Sequence, residues 1–232
     1  MNVLVFDLGG TLMEYRGMAL SWEAYYRDAF VYVRDILRID ISESDIDRSC
    51  RVLAGYNPRL QYREIEIAPE KIFVDVTSHW RTDIGVQTVI AAFFDGLKLS
   101  PVIYDDTIEV LGQLKARGNK LAMLTDLPTG MPDEILVRGI EPVIGMFDLY
   151  VSSLTCGYRK PNKFGLAYIA EHFNVAVDTL LFIGDEEKDV KAAHNAGCRS
   201  GLIDRRGHAR REHGQDFTIR SLSELLDILC VV

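Results

Sequence analysis

Three short, uninterrupted apolar runs frame the chain. Val3-Leu4-Val5-Phe6 ends at Asp7 and Gly9-Gly10, Leu121 to Leu124 ends at Thr125-Asp126, and Leu180 to Ile183 ends at Gly184-Asp185. Apolar residues in unbroken succession, stopped by polar turn formers, predict strands buried on both faces. Helical spacing accompanies them. Thr107 to Arg117 places Ile108, Leu111 and Leu114 on one face and stops at Gly118, while Glu186 to Ala196 is acidic in its first turn and closes at Gly197. Weaker strands are expected at Leu149 to Ser152 and Arg199 to Ile203. Strands alternating with helices predict an α/β core on a mostly parallel sheet with right-handed crossovers.

Between Tyr15 and Leu97 the pattern changes to steps of three and four. Trp22, Tyr25, Tyr26, Ala29, Phe30, Val33, Ile36 and Leu37 form one stripe. Ile72, Phe73, Val76 and Trp80 form a second, and Val89, Ile90, Phe93, Phe94 and Leu97 a third. The spacing predicts an all-α domain over 15–97, inserted into a core of 1–14 and 98–232. Stripes this rich in aromatics are read as interhelical packing, not as the lining of a ligand pocket.

Composition narrows the function classes. The 232 residues carry 34 acidic and 26 basic side chains, a formal charge of −8. An acidic balance argues against nucleic acid as a partner, since that binding needs a basic face. Cys50, Cys156, Cys198 and Cys230 show no C-x-x-C spacing, so neither a zinc site nor a disulfide framework is expected. No apolar run reaches the ~18 residues of a membrane helix. The apolar stretch after Met1-Asn2 is too short for a signal peptide, and a reducing, cytoplasmic location is expected.

The polar residues at the strand ends carry the candidate chemistry. In a parallel sheet, ligands bind outside the carboxyl ends of the strands, near the point where strand order reverses. Asp7, Thr125 and Asp185 each follow a predicted buried strand, so they can converge from distant parts of the sequence. Lys160-Pro161 lies in a loop expected to enter a helix near Pro161. Two carboxylates and a turn carbonyl suit a hard divalent cation such as Mg2+, with Asp7 and Asp185 supplying part of its shell. Lys160, the Thr125 hydroxyl and the N–H groups of the Gly9-Gly10 turn suit a phosphate. A carboxylate held against phosphorus in such a setting can attack it and form an aspartyl-phosphate.

Taken together, Phe6-Asp7-Leu8-Gly9-Gly10-Thr11-Leu12, the run ending in Thr125, Arg159-Lys160-Pro161-Asn162, and Gly184-Asp185-Glu186-Glu187-Lys188-Asp189 resemble, in order, the four motifs of the haloacid dehalogenase-like hydrolases. The resemblance spans the chain, and the long gap after the first motif resembles members with a helical cap at that point. It implies a Rossmann-like α/β core with an inserted all-α cap. It also implies Asp7 as nucleophile, Mg2+ on Asp7, the carbonyl of Gly9 and Asp185, and a phosphoryl group held by Gly10, Thr125, Asp126 and Lys160. Asp189 would lie in the outer shell, orienting Lys160 or a metal-bound water. The implied activity is hydrolysis of a small phosphorylated metabolite.

One position departs from the family pattern. Most phosphatases of the family carry an acid/base aspartate two residues after the nucleophile, where this chain has Gly9. General acid–base help is worth ~10² to 10⁴ in rate. Either another group serves, such as Glu14, Asp126 or a residue of the helical insertion, or the substrate has a good leaving group. Two competing readings follow: a 2-haloacid dehalogenase-type hydrolase, and a catalytically weak phosphometabolite-binding domain. The dehalogenase pattern lacks the last Gly-Asp and has a tyrosine where this chain has Gly9, so Asp185 favours the phosphatase.

Smaller signals are read conservatively. Arg205 to Arg211, a basic stretch, is expected to be a solvated loop. His79 is expected to pack in the helical insertion, and His194 needs no catalytic role. Arg59, Tyr62 and Arg63 follow the Asn57-Pro58 turn and are the candidates for substrate selection. Asp7, Asp126, Asp185, Glu186 and Asp189 crowd one predicted site, so anion binding there calls for a cation.

Overall fold

The computed structural model describes residues 2–19, 21–207 and 212–229. Its strands are β1 (Val3–Phe6), β2 (Met13–Tyr15), β3 (Pro101–Ile103), β4 (Lys120–Thr125), β5 (Leu149–Ser152), β6 (Leu180–Gly184), β7 (Arg199–Ile203) and β8 (Phe217–Ile219). The helices begin with α1 (Tyr26–Leu37), α2 (Glu43–Gly55), α3 (Pro69–Thr77), α4 (Val86–Gly96) and α5 (Thr107–Ala116). They continue with α6 (Asp133–Gly139), α7 (Glu141–Ile144), α8 (Ser153–Cys156), α9 (Phe164–Phe173), α10 (Glu187–Ala196) and α11 (Ser223–Ile228). Among the described residues no helix is long and apolar enough to cross a membrane. Cys50, Cys156 and Cys198 are free thiols; Cys230 lies outside the described residues.

The chain divides into two compact units. One comprises Met1–Glu14, Pro101–Asp126 and Ile140–Val232; the other comprises Tyr15–Ser100 and Leu127–Gly139. The first is an α/β unit whose six-stranded parallel sheet has the order β5-β4-β1-β6-β7-β8. From β1 the winding runs outward through β4 and β5, then restarts on the other side with β6. The reversal therefore flanks β1, and this is where such sheets bind ligands. Phe6 is in register with Met123 and Ile183, so the residues just after β1, β4 and β6 emerge side by side.

The apolar runs are continuous because both faces of the sheet are covered. Val3, Val5, Ala122, Leu124 and Phe182 pack with Leu166 and Ile169 of α9 and Ala192 and Ala193 of α10. Gly165 lets α9 approach the sheet, since a Cβ there would run into Leu124. One helix limit differs slightly from the sequence reading. Helix α9 begins at Phe164, not near Pro161, because the Asn162 side chain accepts from the Phe164 N–H (3.0 Å). Pro161 lies in the preceding turn, joined to Lys160 by a cis peptide.

In the helical unit, Phe93 of α4 sits at the centre of an aromatic cluster. Its ring lies 4.7 Å from Phe30, 5.2 Å from Phe73 and 6.0 Å from Tyr26, centroid to centroid. The three stripes read from the sequence thus pack on one another, as aromatic pairs favour. Helix α2 was invisible to that reading because Ser49 interrupts its apolar face. Ser49 is buried and accepts from Trp80 Nε1 (3.0 Å) while donating to the Val76 carbonyl (3.0 Å). The capping box of Ser42 and Asp45 was the available signal for its start. Residues 127–139, expected in the core, cluster with the helices: Gly130, at φ +71°, lies against Phe73 with no room for a Cβ.

Truncating the centre of the cluster tests its role. Phe93→Ala should lower the unfolding free energy by about 3–5 kcal/mol, the range for a buried aromatic replaced by alanine. Urea denaturation measures this, and a loss below about 1 kcal/mol would place the core of the unit elsewhere.

Candidate active site

The turn after β1 brings the first acid to the sheet edge. Asp7 N–H still donates to the Ile183 carbonyl (2.8 Å), which fixes the backbone before the chain turns. The Leu8 carbonyl then accepts from Thr11, Leu12 and Met13, and Gly10 N–H donates to Met13 (2.8 Å). Gly10 has φ +78°, and a Cβ on it would collide with the Asp185 carboxylate. A glycine is required there both by backbone conformation and by the approach of that acid. Gly9 differs on both counts: its φ is not left-handed, and an added Cβ would meet open space.

Lys160 joins the acids. Its Nζ is ion-paired with Asp7 Oδ1 and, at 2.7 Å, with Asp189 Oδ1. All three side chains are buried, the Lys160 side chain at 2% exposure. The Lys160 main-chain N–H donates to Asp126 Oδ1 (3.0 Å), which ties the loop to the end of β4. Asp189 Oδ2 accepts from Glu186 N–H (2.9 Å) as part of the capping box that starts α10. Gly184 lets Asp189 lie this close, since a Cβ at 184 would overlap its carboxylate. Thr125 is buried at the end of β4.

The electrostatics show what the cluster lacks. Burial pushes the Asp7 carboxyl up to about 7; Lys160 pulls it down and Asp189 raises it. Asp185 is held well above the usual carboxylate range, first by burial and then by Asp7, Asp189 and Glu186. Burial works against the Lys160 ammonium, yet Asp189, Asp7 and Asp126 outweigh it and hold the charge firmly. Ligand oxygens of Asp7, Asp185 and Asp189 lie within 4.8 Å of one another. Three acids against one ammonium leave a deficit that a hard dication fits, and all the donors are oxygens.

Asp126 differs from its neighbours. Burial alone would raise it, but Lys188, Lys160 and Arg159 hold it below the usual range. The Asp126 carboxylate is thereby kept ionised while it accepts from the Lys160 main-chain N–H. Lys188 escaped the sequence reading although it lies within the last motif. Its Nζ is 2.9 Å from Glu186 and 3.4 Å from Asp126, and its place before Asp189 on α10 was the available signal.

Asp7, Gly9, Gly10, Thr125, Asp126, Lys160, Asp185 and Asp189 thus all lie at the carboxyl edge of one sheet. Glu14 is bonded to Tyr104 Oη (3.3 Å) and Arg206 (3.3 Å). Arg59, Tyr62 and Arg63 belong to the helical unit. Arg63 there donates to the Tyr56 carbonyl and pairs with Glu66 (3.2 Å), and Tyr62 Oη donates to Glu64 (2.6 Å). Part of the basic stretch, residues 208–211, lies outside the described residues. Arg205 is not solvated as expected but largely buried, because Asp106 and the Thr11 carbonyl compensate its charge.

A motif-bearing sheet edge of this kind defines a class. The family model described as haloacid dehalogenase-like hydrolase matches residues 1–197. A phosphoglycolate phosphatase of Colwellia psychrerythraea is 31% identical over 229 residues, 97% of this chain and 95% of that one. The chain therefore belongs to the haloacid dehalogenase-like hydrolases. A phosphoglycolate phosphatase of Vibrio parahaemolyticus is 32% identical over 135 residues, 56% of this chain, and the chain spans 57% of that relative's length. Among solved structures, a HAD phosphatase from Thermococcus onnurineus superposes with TM-score 0.65 at 20% identity, covering 99% of this chain and 98% of its own. A 2-haloacid dehalogenase from Pseudomonas syringae superposes with TM-score 0.68 at 18% identity, covering 100% and 99%. Identities this low report the shared fold and nothing finer.

The raised acids predict a pH dependence for the metal-free protein. A carboxyl whose pKa is higher folded than unfolded binds more protons in the folded state, so stability falls as pH climbs from 3.8 toward about 7. In EDTA, the melting temperature should drop by about 5 °C between pH 5 and pH 7.5. Asp7→Asn should flatten that slope. A profile equally steep in the variant would remove Asp7 as its source.

Proposed function

We propose that the protein is a magnesium-dependent phosphatase that hydrolyses a small phosphorylated metabolite through an aspartyl-phosphate on Asp7. The observation that carries the reading is the buried contact of Asp7 with Lys160, beside Asp185 and Asp189, at the edge of the sheet. Such crowding of acids costs stability and fits a site that uses a cation to receive an anion. Mg2+ would be held by Asp7, Asp185 and the Gly9 carbonyl, and when bound it would neutralise charge on the phosphoryl oxygens.

The residues then divide the work. Lys160, Thr125 and the N–H of Gly10 hold the phosphoryl group, and Asp189 orients Lys160 through their ion pair. One Asp7 oxygen attacks phosphorus in line; the ester P–O bond breaks, and the leaving oxygen departs with a proton taken from solvent, which the attacking water of the second step returns. Water then attacks phosphorus, releasing inorganic phosphate and restoring Asp7. Asp126 keeps the Lys160 loop in place through its bond to the Lys160 N–H. The helical unit is read as the cap of this family, with Arg59, Tyr62 and Arg63 as the residues that would select the rest of the metabolite.

The relatives named for phosphoglycolate make that ester the first substrate to assay, within a panel of phosphorylated metabolites. With Mg2+, turnover of at least one ester is expected, falling about 10³-fold or more in Asp7→Asn and disappearing in EDTA. Dehalogenation of a 2-haloacid that persists in EDTA would instead favour the carbon-attacking relatives. Full activity in Asp7→Asn would sink the covalent route.

Gly9→Asp tests the missing acid. The open space at position 9 accepts the side chain, so the variant should fold as the parent does. Turnover of an alkyl phosphate should rise by up to about 10²-fold if no other group serves as acid and base. No gain would mean that the role is already filled.

A further inference from the structure

We propose that Arg205 is a positioning residue for this reaction: it holds the Gly9-Gly10 turn by gripping the Thr11 carbonyl. The inference rests on the phosphatase reading above, yet the residue lies beyond the span 1–197 matched by the family. Its side chain is 14% exposed. Nε (3.0 Å) and Nη2 (2.7 Å) both donate to the Thr11 carbonyl. Nη1 (3.1 Å) and Nη2 (3.0 Å) donate to the two oxygens of Asp106. The guanidinium also lies over the Tyr104 ring, 4.0 Å from its centroid.

Each of these partners is itself anchored. Asp106 Oδ2 accepts from the Leu222 N–H (2.7 Å). Tyr104 N–H (3.1 Å) and the Thr107 hydroxyl (2.9 Å) both donate to the Leu12 carbonyl. Two successive carbonyls of the turn, Thr11 and Leu12, are therefore held from outside, while its amides are held by Leu8 and Met13. Gly9 and Gly10 have no side chains to fix them, so the direction of the Gly9 carbonyl depends on these neighbours. A planar fork can bond one carbonyl twice and a carboxylate twice at the same time; a lysine, with a single nitrogen on a flexible stem, cannot. Arg205 touches neither the phosphoryl site nor Asp7 in this arrangement and acts through the turn alone.

Arg205→Lys is the test, because it keeps the charge opposite Asp106 and so should fold; Arg205→Met removes both. Hydrogen exchange is read first, without metal or substrate. The Gly10 and Met13 amides should exchange about tenfold faster in Arg205→Lys, with the amides of β1 unchanged. Calorimetry should find Mg2+ binding weakened by about tenfold, and kcat should fall about 10- to 10²-fold with KM within about twofold. Arg205→Met should exceed both effects. Unchanged turn exchange and unchanged Mg2+ affinity in folded Arg205→Lys would overturn the proposal, as would a loss of activity that only tracks loss of folded protein. If the parent protein itself neither binds Mg2+ nor turns over a phosphate ester, the phosphatase reading falls, and the exchange rates still decide whether Arg205 holds the turn.

Discussion

The arrangement depends on one buried ammonium. Lys160 Nζ stands between Asp7 and Asp189, and without it three carboxyls, two of them buried and Asp185 partly so, would face one another. A buried ion pair adds little net stability, because desolvating both partners offsets the attraction between them. Removing one partner is costly all the same, since the others are left uncompensated. Lys160 therefore sets position more than it sets stability. Its main-chain N–H on Asp126 and its ammonium on Asp7 and Asp189 connect the ends of β1 and β4 with the start of α10.

Local backbone rules do the rest of the placement. Asp189 serves as the third residue of a helix capping box and as the partner of Lys160, so the same carboxylate starts α10 and orients the lysine. At Gly10 and Gly184 the main chain leaves room for a carboxylate of the cluster, Asp185 against the first and Asp189 against the second. A side chain at either would push a carboxylate out of the cluster. The parallel sheet contributes the register: with Phe6 level with Met123 and Ile183, the acids after β1 and β6 have no choice but to be neighbours.

Much of this is written in the sequence in plain form. Strands buried on both faces read as apolar runs, and β1, β4 and β6 could be placed for that reason. The polar residues that end them include Asp7, Thr125 and Asp185 of the site. What sequence patterns did not reveal depends on contacts between distant residues. Helix α2 hides because Ser49 is a buried polar residue satisfied by Trp80 and Val76. The strands β2 and β3 are three residues each and only partly buried, too short for a period to emerge. Asp126 and Asp7 look alike in sequence, each a lone acid after an apolar run. Burial raises both and Lys160 and Lys188 lower both; they differ because Arg159 also lowers Asp126, whereas Asp189 raises Asp7. Arg205 was masked by its basic neighbours, since nothing local distinguishes an arginine bound for Asp106 from one bound for solvent.

The net charge of −8 and the glycine at position 9 bear on the same question, the kind of ligand the site accepts. Overall charge gives an anion no long-range attraction, so recognition has to come from the few groups at the sheet edge. There Lys160 is already committed to two carboxylates, and a dication in the cluster is the natural source of the remaining positive charge. Gly9 belongs to this chemistry and not to the fold. Gly10 could be nothing else, given its φ of +78° and the carboxylate against it, whereas position 9 has ordinary backbone and open space. A glycine that neither conformation nor packing requires does not explain itself structurally. It leaves one carboxylate fewer beside an acidic cluster already short of positive charge, and under the proposed mechanism it would place the protonation of the leaving group elsewhere or on the substrate itself.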